Sequence, residues 1–148
     1  MTSFKTDKGF GQVLLLHLTK GEDLLNGIEQ GAREAGIKSG IVLSGIGSLS
    51  RLKFHYIAAT SDEPHDIFET IDAPLELDSL QGVILEGEPH LHTVTTEKGG
   101  VTHGGHLEEG SLIQYRAEIS IVEINDLPVG RRAGDYGVAH FEWIDGRE

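Results

Sequence analysis

The segment Leu112–Ile124 constrains the fold of this chain more than any other part of the sequence. Apolar and polar residues alternate along it, with Ile113, Tyr115, Ala117, Ile119 and Ile121 in one set and Gln114, Arg116, Glu118 and Ser120 in the other. Successive side chains of a β-strand point to opposite faces, so the pattern predicts a strand with one buried face and one exposed face. Such a strand needs partner strands and a core beneath it.

The rest of the sequence predicts one helix and more strands. Between Glu22 and Ala35 the apolar residues recur every three or four positions, which is typical of a helix with one buried stripe. Thr19 and Glu22 have the spacing of a capping box, and Gly36 stands where helices commonly end. Further strands are predicted at Phe10–Leu18, Ile41–Ile46, Leu49–Ile57, Ile67–Ile71, Leu75–Glu86, Leu91–Thr96, Val101–Leu107 and Val138–Ile144. We therefore expect an α+β fold in which a largely antiparallel or mixed sheet packs on one main helix.

Composition limits the classes of protein that remain. The 148 residues fit one domain, 1–148, and the segments between the predicted elements offer no linker. The absence of cysteine excludes disulfides, iron–sulfur clusters and thiol nucleophiles, and we expect a cytoplasmic protein. No segment approaches the about 20 apolar residues of a membrane span, so no membrane partner is expected.

The net charge of −12 argues against direct contact with nucleic acid, because such affinity comes largely from Lys and Arg that neutralise phosphates. Between Lys53 and Lys98 the chain has ten acidic residues and neither Lys nor Arg. If these acids lie near a binding site, their field attracts cations and repels anions. The alternative is a solvated acidic face.

The densest group of chemically active residues lies in Pro89–Leu107, which holds four of the eight histidines. His90 and His92 are two apart, so on a strand both imidazoles point to the same face. A turn around 97–100 then returns the chain and brings His106 beside the first pair. The glycines at 104 and 105 allow a close backbone approach there.

Three histidines with an open fourth position are typical of catalytic zinc, and imidazole also suits copper, iron and nickel. The alternative is that an H-x-H pair arises by chance in a chain with this many histidines. The other histidines are expected to take no part: His103 faces the opposite side of a regular strand, His17 belongs to the core, and His55, His65 and His140 have no partner nearby in sequence.

Glu118 is a candidate for acid–base chemistry near the metal, or for orienting a ligating imidazole. The alternative is a solvated side chain on the polar face of its strand. Signals for other chemistries are missing: the sequence has no phosphate-binding loop, no nucleophile elbow and no H-E-x-x-H.

Five short motifs follow one another along the chain: LTKGED at Leu18–Asp23, SGIGSLS at Ser44–Ser50, PHLH at Pro89–His92, GGHL at Gly104–Leu107 and AEI at Ala117–Ile119. In this order they resemble the PPC domain, the plant and prokaryote conserved domain, whose plant members carry an AT-hook beside it. The similarity covers a core of about 10–124 and leaves 125–148 as a C-terminal extension.

The resemblance implies a sheet packed on a helix, a homotrimer, and zinc or another divalent transition metal held by His90, His92 and His106. Prokaryotic members are described as DNA-binding by analogy with the plant proteins, which implies a transcription-associated regulatory role through DNA or a protein partner. The superfamily includes acetolactate decarboxylase, which has a three-histidine zinc site. The resemblance to this superfamily implies, as the alternative, a zinc-dependent lyase that acts on a small molecule, with Glu118 near the metal.

The chain departs from the plant pattern in the part that contacts DNA. The R-G-R-P core of an AT-hook is missing, and its nearest counterpart is Gly130, Arg131 and Arg132 followed by Ala133. The resemblance therefore carries over the trimer-forming domain without the DNA-reading arm.

Overall fold

The computed structural model describes residues 1–147 and contains one α-helix, one short 3₁₀ helix and nine strands in that range. The α-helix, α1, spans Leu24–Glu34, and the 3₁₀ helix spans Asp135–Gly137. The strands are β1 Phe10–Thr19, β2 Gly40–Ile57, β3 Asp66–Ile71, β4 Leu75–Leu85, β5 Glu88–Glu97, β6 Thr102–Leu107, β7 Leu112–Ile124, β8 Val129–Ala133 and β9 Ala139–Trp143.

Seven of the strands form one sheet in which every pairing is antiparallel. Its order is β1-β7-β2-β4-β5-β6, with β3 on β2. The far strand β6 also returns to β2, where Phe54 pairs with Leu107 and His55 with His106. The pairings of β2, β4, β5 and β6 thus close into a ring. The predicted α+β fold, a sheet packed on one helix, is confirmed.

The helix begins four residues later than it would if Thr19 were the N-cap of a capping box with Glu22. Asp23 is the N-cap, and its carboxylate accepts a hydrogen bond from the backbone N–H of Asn26. The carboxylate of Glu22 instead accepts hydrogen bonds from the backbone and hydroxyl of Thr19, in the turn before the helix. Gly36 follows the last turn at φ +75°, which confirms its predicted role at the helix end.

Two glycines let the helix lie close to β1. A Cβ atom at Gly27 would stand 2.8 Å from Leu18 Cδ2, and one at Gly31 would stand 2.5 Å from Leu16 Cδ2. The inner face of the sheet and the buried stripe of α1, which includes Leu24, Ile28 and Ala32, form one apolar core. Burying a large apolar side chain contributes about 1.5–3 kcal/mol, so this contact supplies much of the stability that a glycine-containing helix needs.

Two details differ from the expectations. The segments predicted as separate strands at Ile41–Ile46 and Leu49–Ile57 form one strand, β2. Gly45 and Gly47 leave room for the neighbouring strands β4 and β7 and do not form a turn. Tyr115 was expected on the buried face with Ile113, but it is 73% exposed. The β2–β7 register shifts between Gly47 and Leu49, and this irregularity turns Tyr115 outward.

The C-terminal strands β8 and β9 form a separate two-stranded hairpin that packs against β4. The predicted strand at Val138–Ile144 corresponds to β9, whereas β8 had no sequence signal. Phe4 packs edge-on against Phe141 and Trp143 of β9, with ring centroids 6.2 and 5.2 Å apart. Among residues 1–147, no helix has the length and apolar character required to cross a membrane.

Candidate metal centre

Three histidines meet on the outer face of the sheet, where β5 and β6 lie side by side. His90 and His92 project from the same face of β5, and His106 of β6 pairs directly with His92. One ligand nitrogen from each of the three lies within 4.8 Å of the other two. The hairpin thus brings the residues together as their spacing predicts.

The rings form a shallow cluster that is open to solvent. Those of His90 and His92 are nearly parallel, 8° apart, with centroids 5.5 Å apart. The ring of His106 is tilted against both, at centroid distances of 4.6 Å from His90 and 5.5 Å from His92. His90 and His92 are exposed and His106 is half-buried, so one side of the cluster stays accessible.

Glycines fix the distances between the strands that carry this cluster. A Cβ atom at Gly105 would collide with the carbonyl oxygen of His55 on β2, and one at Gly104 would stand 2.9 Å from the carbonyl oxygen of Thr93 on β5. On the other side of β5, a Cβ atom at Gly82 would collide with the carbonyl oxygen of His90. The glycines before His106 therefore serve the close approach that the sequence predicts.

The surroundings keep two of the imidazoles neutral. Burial, with smaller contributions from the neighbouring His90 and His55, lowers the pKa of His106 to about 4. Loss of hydration where the ring of His90 packs, followed by the positive charge of Arg131, lowers the pKa of His90 as well. A neutral imidazole retains the lone pair that a metal ion requires, so near pH 7 these two side chains are ready to ligate.

His55 and Glu108 extend the cluster along the same face. His55 Nδ1 lies 2.6 Å from a carboxylate oxygen of Glu108, and its ring stacks on His106 at a centroid distance of 4.3 Å. His55, His106 and Glu108 form a second group whose ligand atoms lie within 4.8 Å of one another. Sequence reasoning missed this pair, because only the long-range pairing of β2 with β6 brings His55 to His106.

The structure does not bring Glu118 to the three histidines. Glu118 lies on β7 opposite Ile46, whereas His106 lies opposite His55, nine residues further along β2. Its side chain is exposed and lies 3.4 Å from Arg116 Nε. The physical reason is strand order, since β2 and β4 lie between β7 and β5.

The remaining histidines lie outside the cluster. His103 Nε2 lies 3.1 Å from a carboxylate oxygen of Glu97 at the far end of the hairpin, consistent with its predicted non-ligand position. His17 was expected in the core but is exposed opposite Glu118, because the inward residues of β1 are Leu14, Leu16 and Leu18. His65 and His140 are exposed away from the triad.

Comparison with known families gives a match over most of the chain. The Plants and Prokaryotes Conserved (PCC) domain matches residues 5–125, which span β1 to β7 and all three clustered histidines. The bifunctional protein GlmU of Synechococcus sp. (strain JA-3-3Ab) is 34% identical over 112 residues, or 76% of this chain. The chain spans only about 17% of the length of that curated relative.

Solved structures share the fold over nearly the whole chain. A plant- and prokaryote-conserved (PPC) protein from Pyrococcus horikoshii is 31% identical with a TM-score of 0.78, covering 93% of this chain and 96% of its own. A metal-containing protein from Archaeoglobus fulgidus is 26% identical with a TM-score of 0.78, covering 97% and 99%. Proteins from Bacteroides thetaiotaomicron and Ralstonia eutropha, named provisionally for DNA binding, are 19% and 24% identical and share the fold alone.

Proposed function

This chain belongs to the Plants and Prokaryotes Conserved domain family, and from that premise we propose that it is a homotrimeric metal-binding protein. One divalent transition ion, with zinc as the first choice, is held by His90, His92 and His106. A free coordination position of this ion binds a small molecule. The occupied centre then serves a regulatory role that reaches DNA through a partner protein.

A single observation carries the metal proposal: three imidazole nitrogens on an accessible face lie within 4.8 Å of one another. Three imidazoles suit zinc, copper, iron or nickel, and they leave a coordination position free in a tetrahedral site. A divalent ion bound there supplies Lewis acidity at that position. The low pKa of His106, about 4, keeps this ligand unprotonated at neutral pH.

Metal loading tests this proposal directly. The protein is stripped with a chelator, reloaded with zinc or cobalt, dialysed and analysed for metal content. We expect about one ion per chain, because one triad offers one set of ligands. The His103→Ala variant, which removes a histidine outside the triad, should load equally. Wild-type protein that retains no metal after dialysis contradicts the proposal.

The alternative function, zinc-dependent lyase chemistry on a small molecule, is supported by the exposure of His90 and His92, which leaves room for a substrate. Within one chain the candidate acid–base groups nearest the triad are His55 and Glu108, joined at 2.6 Å. Glu118 would serve this reaction only in an assembly that brings it to the triad of another chain. A lyase role therefore depends on the oligomer as well as on the ion.

The proposed trimer is supported by apolar side chains on the outer face of the sheet. Val13 and Leu15 of β1 are 66% and 76% exposed, and Leu43 and Ile46 of β2 are 59% and 50% exposed. Exposed apolar groups grouped on one face of a sheet are typical of interfaces between proteins.

Substituting Leu15→Asp is expected to convert the trimer to a monomer, because a charge buried between chains loses its hydration without gaining a partner. Light scattering after size-exclusion chromatography measures the mass. The Val101→Asp variant, altered at an exposed residue of the β5–β6 turn, should remain trimeric. A wild-type protein that elutes as a monomer contradicts the proposed assembly.

Direct DNA binding by the chain alone is expected to be absent. A mobility-shift assay at about 50 mM salt favours complex formation, because low salt strengthens contacts between basic side chains and phosphates. The net charge of −12 offers few such contacts, so we expect no shifted band under these conditions. A complex whose affinity falls steeply as salt rises shows direct contact and removes the need for a partner.

A further inference from the structure

Arg131 of the C-terminal hairpin reaches over β4 and β5 to the His90 end of the triad. Its Nη2 donates to the carbonyl oxygen of Val83 at 3.3 Å, and its Nη1 donates to that of Glu88 at 3.1 Å. Val83 pairs with His90 in the β4–β5 ladder, and Glu88 lies two residues before His90 on β5. The positive charge of Arg131 accordingly contributes to the low pKa of His90.

Within residues 1–147, Arg131 differs from the other arginines in having no carboxylate oxygen within 4.0 Å. The others are ion-paired within 4.0 Å: Arg33 with Glu29, Arg51 with Asp72, Arg116 with Glu118, Arg132 with Glu86, and Arg147 with Asp126 and Asp145. Across residues 1–147, no carboxylate oxygen lies that close to Arg131, although the chain has 24 acidic residues. Its Nε is also buried without a hydrogen-bond partner in that range.

These contacts leave the charge of Arg131 only partly compensated. Burial lowers the pKa of Arg131, but a guanidinium stays charged at any physiological pH. The negative charge of Glu88 offsets this effect only in part, and among residues 1–147 no carboxylate oxygen lies within 4.0 Å of Arg131 to repay its lost hydration. Two of its five N–H donors are used by backbone carbonyls, and no ion pair within residues 1–147 neutralises the charge. The packing of Arg131 over Phe141, 6.0 Å from Cζ to the ring centroid, holds the group in place.

We propose that the small molecule received by the metal centre carries a carboxylate, and that Arg131 is the residue that selects and orients this group beside the histidine triad. The inference rests on the proposed metal site. Planar guanidinium and carboxylate groups pair through two parallel hydrogen bonds, which fixes orientation as well as charge. The acidic stretch 54–97 otherwise disfavours any anion, and a multiply charged phosphate more than a monoanion. Among residues 1–147, Arg131 is thus the arginine that lies near His90 and forms no ion pair within 4.0 Å.

Ligand titrations of the cobalt-loaded protein test this role. Acetate serves as the carboxylate probe and imidazole as a neutral probe, and changes in the visible cobalt spectrum report binding. In Arg131→Gln we expect the acetate affinity to fall about 10- to 100-fold, as for loss of a hydrogen bond to a charged group. Imidazole affinity should stay within about twofold, since a neutral ligand needs no counter-ion. Arg131→Lys should weaken acetate binding less than Arg131→Gln.

Arg132→Gln is the matched control, because this residue lies next along β8 and already pairs with Glu86 at 2.7 Å. Its acetate affinity should equal that of the wild type. Equal acetate affinity in wild type and Arg131→Gln overturns the inference while leaving the metal site intact. Loss of acetate and imidazole binding together makes Arg131 a structural residue and also overturns it. Failure of the wild type to take up cobalt overturns the metal site itself, and this inference with it.

Discussion

Replacing His106 with alanine is expected to lower the affinity for zinc or cobalt by at least about 100-fold, since loss of groups that merely orient a ligand already costs 10- to 100-fold. His106 lies in the middle of the cluster, close to both His90 and His55, and belongs to both groups of potential ligands. Its removal therefore leaves two imidazoles from the triad and breaks the second group as well. Isothermal titration with a competing chelator measures the affinity.

Two further variants serve as controls for the His106→Ala result. The double variant His90→Ala, His92→Ala should lose the metal completely, because it leaves a single imidazole of the triad. The His103→Ala variant should bind as the wild type does, since His103 pairs with Glu97 instead. Equal metal content in the double variant and the wild type would show that the ion is held elsewhere.

Substituting Gly82→Ala is expected to lower the free energy of unfolding by about 3 kcal/mol or more, through overpacking and backbone strain together. A Cβ atom there would collide with the carbonyl oxygen of His90 and stand 3.0 Å from Leu91 Cα, and neither can move without shifting β5. Gly82 also adopts φ +153°, which side chains disfavour. Urea denaturation measures the loss, and metal titration should show weakened binding because β5 carries two ligands.

Gly87→Ala separates the two causes. Gly87 lies in the turn between the same two strands at φ +84°, but a Cβ atom there has nothing within 4 Å. Only backbone strain is added, so the expected loss is about 1 kcal/mol with metal affinity unchanged. Equal losses for Gly82→Ala and Gly87→Ala would show that β4 and β5 can separate to accept a side chain.

The sequence pattern predicted an element correctly where its structure depends on its own residues alone. The alternation in Leu112–Ile124 gave β7 its bounds, and the spacing around α1 gave its buried face. The prediction failed where a second strand decides the outcome. Tyr115 is turned outward by a register shift against β2, and Gly45 and Gly47 open space for neighbouring strands inside one long strand.

In the candidate site, too, local sequence predicted some features, whereas others depend on contacts with distant strands. His90, His92 and His106 lie on one hairpin, so periodicity and a turn suffice to bring them together. His55 reaches the cluster through the β2–β6 pairing, and Arg131 reaches it from a hairpin that had one predicted strand. Glu118 was assigned to the metal from the polarity of its strand face, which carries no information about strand order.

The three histidines of the triad are close in sequence, whereas Arg131 beside them is not, and this difference bears on how the protein folds. His92 and His106 are 14 residues apart in sequence, so closing the loop between them costs little conformational entropy. If the triad holds an ion as proposed, we expect a chain that has formed only the β5–β6 hairpin to bind it too, and binding to incompletely folded chains weakens the stabilisation that the ion gives the native state. Arg131 joins this hairpin only when the chain is complete. On the proposed roles, ion uptake thus requires the hairpin alone, whereas selection among ligands by Arg131 requires the complete fold.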